Sequence, residues 1–351
     1  MEYKLISEVN FSEHINGRVF VRFLAKDVNV APQKNGQMYI SVTMKHRDFE
    51  LNGKLFGASQ QYIDMVKAGG VYNASLDIKP YAKSDTGWAC TIYNIEPCTT
   101  SSPAEFVEWA EGMQEAQDTI NKALVEISES EYGDIVYPIL VEHWEKFAYW
   151  TAASGMHHNI LGGLFVHTAE VIAQCEILAD YWNNKYSPKF INKPLLLSAA
   201  LLHDLAKTTE LNVEMASGAT EYSVHSSLST HIMDILTWVT IQAYKISFGK
   251  QYTEYQLAEG KEPKTQEQIN EEIENLELLK HCLAAHHGKL EYGSPIVASV
   301  PEAIILNMAD NMSAEMYKFN KNFKKMEAGT SSHIWHGGTC VVTYKSTNNE
   351  S

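Results

Sequence analysis

Seven side chains able to bind metal recur in a fixed order along the later part of the chain: His167, the pair His203-Asp204, His231, the pair His286-His287, and Asp310. Imidazole and carboxylate together suit Zn, Fe, Mn or Ni, and one carboxylate can bridge two ions. Two ions roughly 3.5–4 Å apart can activate water to a hydroxide and clamp a phosphate during in-line displacement. His203-Asp204 closes the apolar run from Leu195 to Leu202, where two polar side chains are costly unless they have a partner. A lone histidine on an apolar helix is more often a satisfied core residue than a ligand, and 14 histidines leave room for chance. Five elements in this order argue against chance, so a metal centre is expected.

Such residues must be held by a rigid frame, and the pattern around them is helical. Apolar periodicity predicts helices over 103–127, 135–150, 161–182, 194–207, 224–246, 266–286 and 301–319. The stretch 251–275, rich in Glu, Gln and Lys, reads as a solvated loop and helix face. Beyond 329 only the strand-like run Cys340 to Tyr344 stands out.

The first 98 residues read differently. Alternating runs at 19–24, 39–44, up to 56, 72–78 and 88–95 predict five strands, with the turn Lys34-Asn35-Gly36 after the first. A short helix over 60–67 separates the third from the fourth. Three strands, a helix and two strands is the order of an OB-fold, a small Greek-key barrel that often binds oligonucleotides. Lys34, Tyr39, Lys54, Phe56 and Trp88 are its candidate nucleic-acid contacts, by stacking and by charge. The barrel could instead be an assembly surface. The break at Cys98 to Pro103 marks a linker. The expected organisation is multidomain α+β: a five-stranded OB-fold barrel over 1–98, a linker and connecting helix over 99–133, an all-α catalytic domain over 134–325, and a tail with a short strand over 326–351.

The formal charge of −15 is unevenly spread: residues 1–98 carry 11 Lys and Arg against 10 Asp and Glu, so the acidity belongs to the rest. Long-range steering of a polyanion should be weak, and any nucleic-acid contact must be local. No apolar stretch approaches the roughly 20 residues of a membrane span. The N-terminus lacks the apolar core of a signal peptide, and five scattered cysteines form no CxxC pair. A cytoplasmic protein without membrane contact is expected.

The order H…HD…H…HH…D resembles the HD superfamily of metal-dependent phosphohydrolases, in its two-metal version. Longer strings are similar to the YhaM family of bacterial 3′-5′ exoribonucleases, which also carries an N-terminal OB-fold. They are His157-His158-Asn-Ile-Leu-Gly-Gly-Leu-Phe-Val-His167-Thr, Leu202-His-Asp-Leu-Ala-Lys207, Glu221-Tyr222 ahead of His231, His286-His-Gly-Lys-Leu-Glu-Tyr-Gly-Ser-Pro295 and Ala309-Asp-Asn-Met-Ser-Ala-Glu-Met316. The resemblance implies two divalent transition-metal ions, manganese favoured, with cobalt, iron, nickel and zinc as alternatives. One would be held by His167, His203, Asp204 and Asp310, the other by Asp204, His231, His286 and His287, with Asp204 bridging and catalytic. Lys207 would face a phosphate oxygen, and its alternative is a solvated lysine near a helix end. His158, with His157 before it, and His225 and Lys289 are candidate substrate contacts. The stretch Val224 to Thr230 departs from the Glu-Gly-Lys type of run usual in that family.

The implied function is a phosphodiesterase that degrades single-stranded RNA, with DNA as a second substrate class, from the 3′ end. The resemblance also points to a homo-oligomer, although no interface stripe is readable. Alternatives are hydrolysis of a small or cyclic nucleotide, or a non-catalytic nucleic-acid-binding module with a structural metal.

Overall fold

The computed structural model describes residues 3–15, 17–47, 49–81, 87–154, 158–214, 218–248, 264–336 and 339–349. The chain divides into two compact units, Met1–Trp109 with Val213–Ala219, and Ala110–Asn212 with Thr220–Ser351.

In the first unit the strands are β1 (Lys4–Leu5), β2 (Arg18–Pro32), β3 (Met38–His46), β4 (Phe49–Phe56), β5 (Val71–Pro80) and β6 (Trp88–Pro97), with helix α1 (Gln60–Met65) between β4 and β5. β2 is long enough to serve two neighbours. Its first half pairs with β5 and its second half with β3, and a bulge between Ala25 and Asp27 turns it from one to the other. β4 pairs in parallel with β6 through Gly53 and Lys54, which closes the ring β2-β3-β4-β6-β5. This is the OB-fold arrangement expected from the strand order, with β1 added as an extra parallel strand on β2. Alternation delivers Val21, Phe23, Ile40, Val42, Met44, Leu51, Leu76, Ile78 and Ile92 to a closed apolar core.

The second unit is helical: α2 (Met113–Ser128), α3 (Gly133–Tyr149), α4 (Gly163–Lys185), α5 (Lys193–Leu202), α6 (Lys207–Glu210), α7 (His231–Ala243), α8 (Gln266–Ala285) and α9 (Pro301–Phe323). α5 is its axis. Every residue from Leu195 to Leu202 is buried, and Asn192 caps the helix by accepting from the Leu195 N–H at 3.0 Å. A helix buried on all sides reads as an apolar run without periodicity, as here.

Three expectations need correction. The helix predicted over 103–127 is a short 3-10 turn, Pro103–Phe106, followed only at Met113 by α2, because Gly112 adopts φ 78° and breaks the run. The helix predicted from 224 starts at His231, after the 3-10 turn His225–Ser227. The stretch expected to be all-α also carries a strand pair, β7 (Leu211–Glu214) with β8 (Ala219–Tyr222), whereas the strand expected in the tail is present as β10 (Thr339–Tyr344), paired antiparallel with β9 (Ser331–His336). Of the stretch 251–275, residues up to 263 lie outside the described residues, as does His157. Among the described residues no helix is long and apolar enough to cross a membrane.

Candidate metal centre

Six of the seven expected ligands sit at or near a helix end that the core fixes, and the seventh, Asp310, lies within a helix. His167 lies in the first turns of α4. That helix opens on Gly162 at φ 75° and on Gly163, where a Cβ would stand 2.1 Å from the His158 carbonyl oxygen. No larger residue fits that approach. His203 caps the C-terminus of α5, and Asp204 follows in the turn leading to α6. His231 opens α7, capped by the Thr230 hydroxyl; His286 caps the end of α8 with His287 after it; Asp310 projects from the middle of α9.

These ends bring the ligands together. Nε2 of His167 lies 3.4 Å from Asp204 Oδ2, 3.3 Å from Asp310 Oδ1 and 3.3 Å from His203 Nε2. On the other side Asp204 Oδ1 faces Nε2 of His231 at 3.6 Å and Nε2 of His286 at 3.9 Å. Two groups result, His167-His203-Asp204 and His231-His286-His287, each with its donor atoms within 4.8 Å of one another. Asp204, with one oxygen toward each group, stands between them.

The hydrogen bonds on the far side of each ring identify which nitrogen is free to coordinate. A carbonyl oxygen only accepts, so the Nδ1–H groups of His203, His286 and His287 donate to Ala200 O (2.8 Å), Leu283 O (2.7 Å) and Tyr292 O (2.9 Å). His231 donates from Nδ1 to Glu210 Oε2 at 2.6 Å. The Ser313 hydroxyl donates to Glu170 Oε2 at 2.6 Å, and therefore accepts from His167 Nδ1 at 2.8 Å. In all five rings Nε2 is left as the atom aimed inward. For His231 and His286 it is buried with no hydrogen-bond partner.

Converging ring nitrogens and two carboxylates suit a cation. Burial pulls the His167 pKa down, but the carboxylates of Asp204 and Asp310 outweigh it and hold it at about 9. Burial lowers the pKa of His203, of His287 and, most strongly, of His286, which keeps those rings neutral and ready as ligands. Burial alone would raise Asp204, yet the Lys207 ammonium, His203 and His167 keep its carboxyl well below the usual range. Asp310 is likewise held low, by His167 and His203. Three imidazoles kept neutral, two ionised carboxylates and rings oriented from behind make a donor set that a divalent transition metal takes, and at His167 the ion would displace the proton that the two carboxylates hold there. The residues fit the group.

The remaining candidates fall out as follows. Lys207 is 13% exposed, with Nζ 2.6 Å from Asp204 Oδ2. His158 is buried, packs against the Tyr317 ring at a tilt of 31° with centroids 4.1 Å apart, and lies 3.5 Å from Glu170. His225 is half-exposed and donates from Nε2 to Asp234 Oδ2 at 2.7 Å; Asp234 also accepts from Ser229 and Thr209. Lys289 is exposed and lies beside Glu291 and over the Tyr292 ring. In the barrel, Tyr39 and Phe56 are a cross-strand pair with centroids 6.0 Å apart, and Lys54 reaches over the Tyr39 ring. Lys34 is exposed in the turn between β2 and β3. Trp88 is set apart from them on β6, half-buried against Phe11. Of the residues behind the rings, Glu170 and Glu210 belong to no motif, and Ser313 lies in the string Ala309 to Met316 without having been singled out. Spacing offers one signal: His167 with Glu170, and Asp310 with Ser313, are each one helical turn apart.

No family model matches the chain. The curated 3'-5' exoribonuclease YhaM of Listeria innocua is 26% identical over 298 residues, 84% of each chain. Its counterpart in Bacillus pumilus is 22% identical over 319 residues, 90% of each chain, and that of Bacillus subtilis 23% identical over 299 residues, 84% of each. Among solved structures, the second OB-fold domain of replication protein A from Methanococcus maripaludis matches 29% of this chain at 21% identity and a TM-score of 0.21, which adds nothing to the topology above. The similarity to the curated proteins runs through both the barrel and the helical unit, so this chain is YhaM-like along most of its length.

Proposed function

We propose that this chain is an HD-type, metal-dependent nuclease that shortens single-stranded RNA from its 3′ end. The carrying observation is the convergence of four imidazole nitrogens, of His167, His203, His231 and His286, on the two oxygens of Asp204, with His287 and Asp310 beside them. The names of the relatives supply the substrate class and the direction. His167, His203, Asp204 and Asp310 would hold one ion, and Asp204, His231, His286 and His287 a second, manganese favoured. When bound, such a pair supplies an activated water and positive charge for the phosphate.

The chain's own residues do the rest. The Lys207 ammonium, held at the edge of the centre by Asp204, offers positive charge to a non-bridging phosphate oxygen. His225 and Lys289 offer hydrogen bonds to the strand. In the barrel, Tyr39 and Phe56 stack on bases while Lys54 and Lys34 meet the backbone, on the strand face and loop that OB-folds use for oligonucleotides. A time course on RNA labelled at the 3′ or the 5′ end, beside matching DNA and with Mn, Co or Mg, tests the reading. Early release of the 3′ label as mononucleotide is expected. Equal attack on internal bonds, or turnover of small nucleotides only, would overturn it.

A further inference from the structure

We propose that Glu210, acting directly, and Glu170, acting through Ser313, are positioning residues that fix and strengthen one histidine ligand in each of the two metal-binding groups. The inference rests on the metal reading above and concerns what lies behind the ligands.

Three of the five rings are pinned by backbone carbonyls, those of Ala200, Leu283 and Tyr292. These pins are neutral and come with the fold. The other two are backed by carboxylates, one in each group. His231 meets Glu210 at 2.6 Å across the step from α6 to α7. His167 meets Ser313 at 2.8 Å, and Ser313 meets Glu170 at 2.6 Å, so the link crosses from α4 to α9 and back to α4. The serine has one proton. It goes to a carboxylate, which cannot donate, and the hydroxyl oxygen must then receive Nδ1–H of His167. Ser313 is 1% exposed, which shields that oxygen from bulk water. A carboxylate behind an imidazole fixes its tautomer and makes Nε2 a stronger donor, and losing one costs metal affinity.

Removing the charge while keeping the hydrogen bond separates this role from a mere structural pin. The full chain is stripped of metal and titrated with Mn²⁺ against a competing chelator, with Co²⁺ absorption as a second signature of ligand geometry. Glu210→Gln should weaken one ion by about 10–100-fold and leave the other unchanged. Glu170→Gln should weaken the other ion, Ser313→Ala should reproduce it, and Ser313→Thr, which restores the hydroxyl, should recover it. Metal-free melting curves should match wild type throughout. Wild-type protein that binds no ion would sink the metal reading itself. A wild type with two ions and Gln variants of equal affinity would overturn the positioning role alone, as would variants whose only defect is a lower metal-free melting temperature.

Discussion

Nζ of Lys207 and Oδ2 of Asp204 are 2.6 Å apart, and the same oxygen faces Nε2 of His167 at 3.4 Å and of His203 at 3.5 Å. The lysine therefore belongs to the carboxylate's surroundings. Burial opposes its charge, but Asp204 outweighs burial and raises its pKa, so the ammonium persists at neutral pH. Lys207→Ala should lower turnover on a short RNA by ~10²–10³, the usual cost of one electrostatic donor. Metal content and folding should be retained, as read by elemental analysis and a melting curve. Wild-type turnover would leave Lys207 a structural partner of Asp204 only.

Asp204 presents one oxygen to each group of histidines, so it should matter to both ions. Asp204→Ala should lose nearly all bound metal, whereas His286→Ala should keep more of the ion at His167 and His203. Elemental analysis of protein loaded with Mn and freed of excess decides between them. Full metal in the Asp204 variant would remove it from the centre.

Tyr39 and Phe56 pair on one face of the barrel, and Phe56 is half-exposed. Alanine at either should weaken binding of a labelled oligoribonucleotide by ~1–3 kcal/mol. Trp88 packs instead on Phe11. Its alanine variant should lower barrel stability, by up to about 3 kcal/mol, and leave binding by the folded protein unchanged. Fluorescence anisotropy and denaturant melts read the two effects separately.

Gly288 turns the chain after His286-His287 at φ 75°, and a Cβ there would lie 2.6 Å from the Asn307 side chain. Asn307 Nδ2 in turn donates to the His286 carbonyl at 2.6 Å. Gly288→Ala should cost about 1–3 kcal/mol, from left-handed backbone strain and the displaced amide. A thermal melt should show the loss. An unchanged melting temperature would mean that Asn307 yields freely.

The cluster of candidate ligands was readable because their types are rare in apolar helices and their order is distinctive: His203-Asp204 at the end of α5 is the clearest case. Strand alternation and one short helix likewise sufficed for the barrel. The stretch before His231 misled because Val224 to Leu228 is compatible with helix by pattern. There Ser226 and Ser227 turn their hydroxyls back on the carbonyls of Ser223 and Val224, and Thr230 caps the Met233 N–H, so the helix waits until His231. The roles of Glu170, Glu210 and Ser313 escaped for another reason. Helical spacing sets Glu170 and Ser313 beside candidate ligands, but nothing in a Glu or Ser signals its partner on another helix.

His167 and the Ser313 that steadies it stand 146 positions apart in the chain, on α4 and α9. No local segment can close that distance by itself, and the entropy of closing so long a loop must be met before Asp310 and Ser313 reach His167. During synthesis, α4, α5 and α7 emerge long before α9. A nascent chain therefore carries most of the histidines yet lacks Asp310 and Ser313, and stays without a complete centre until its last helix docks. The complete candidate set of side chains therefore exists only once residues from both ends of the helical unit have come together.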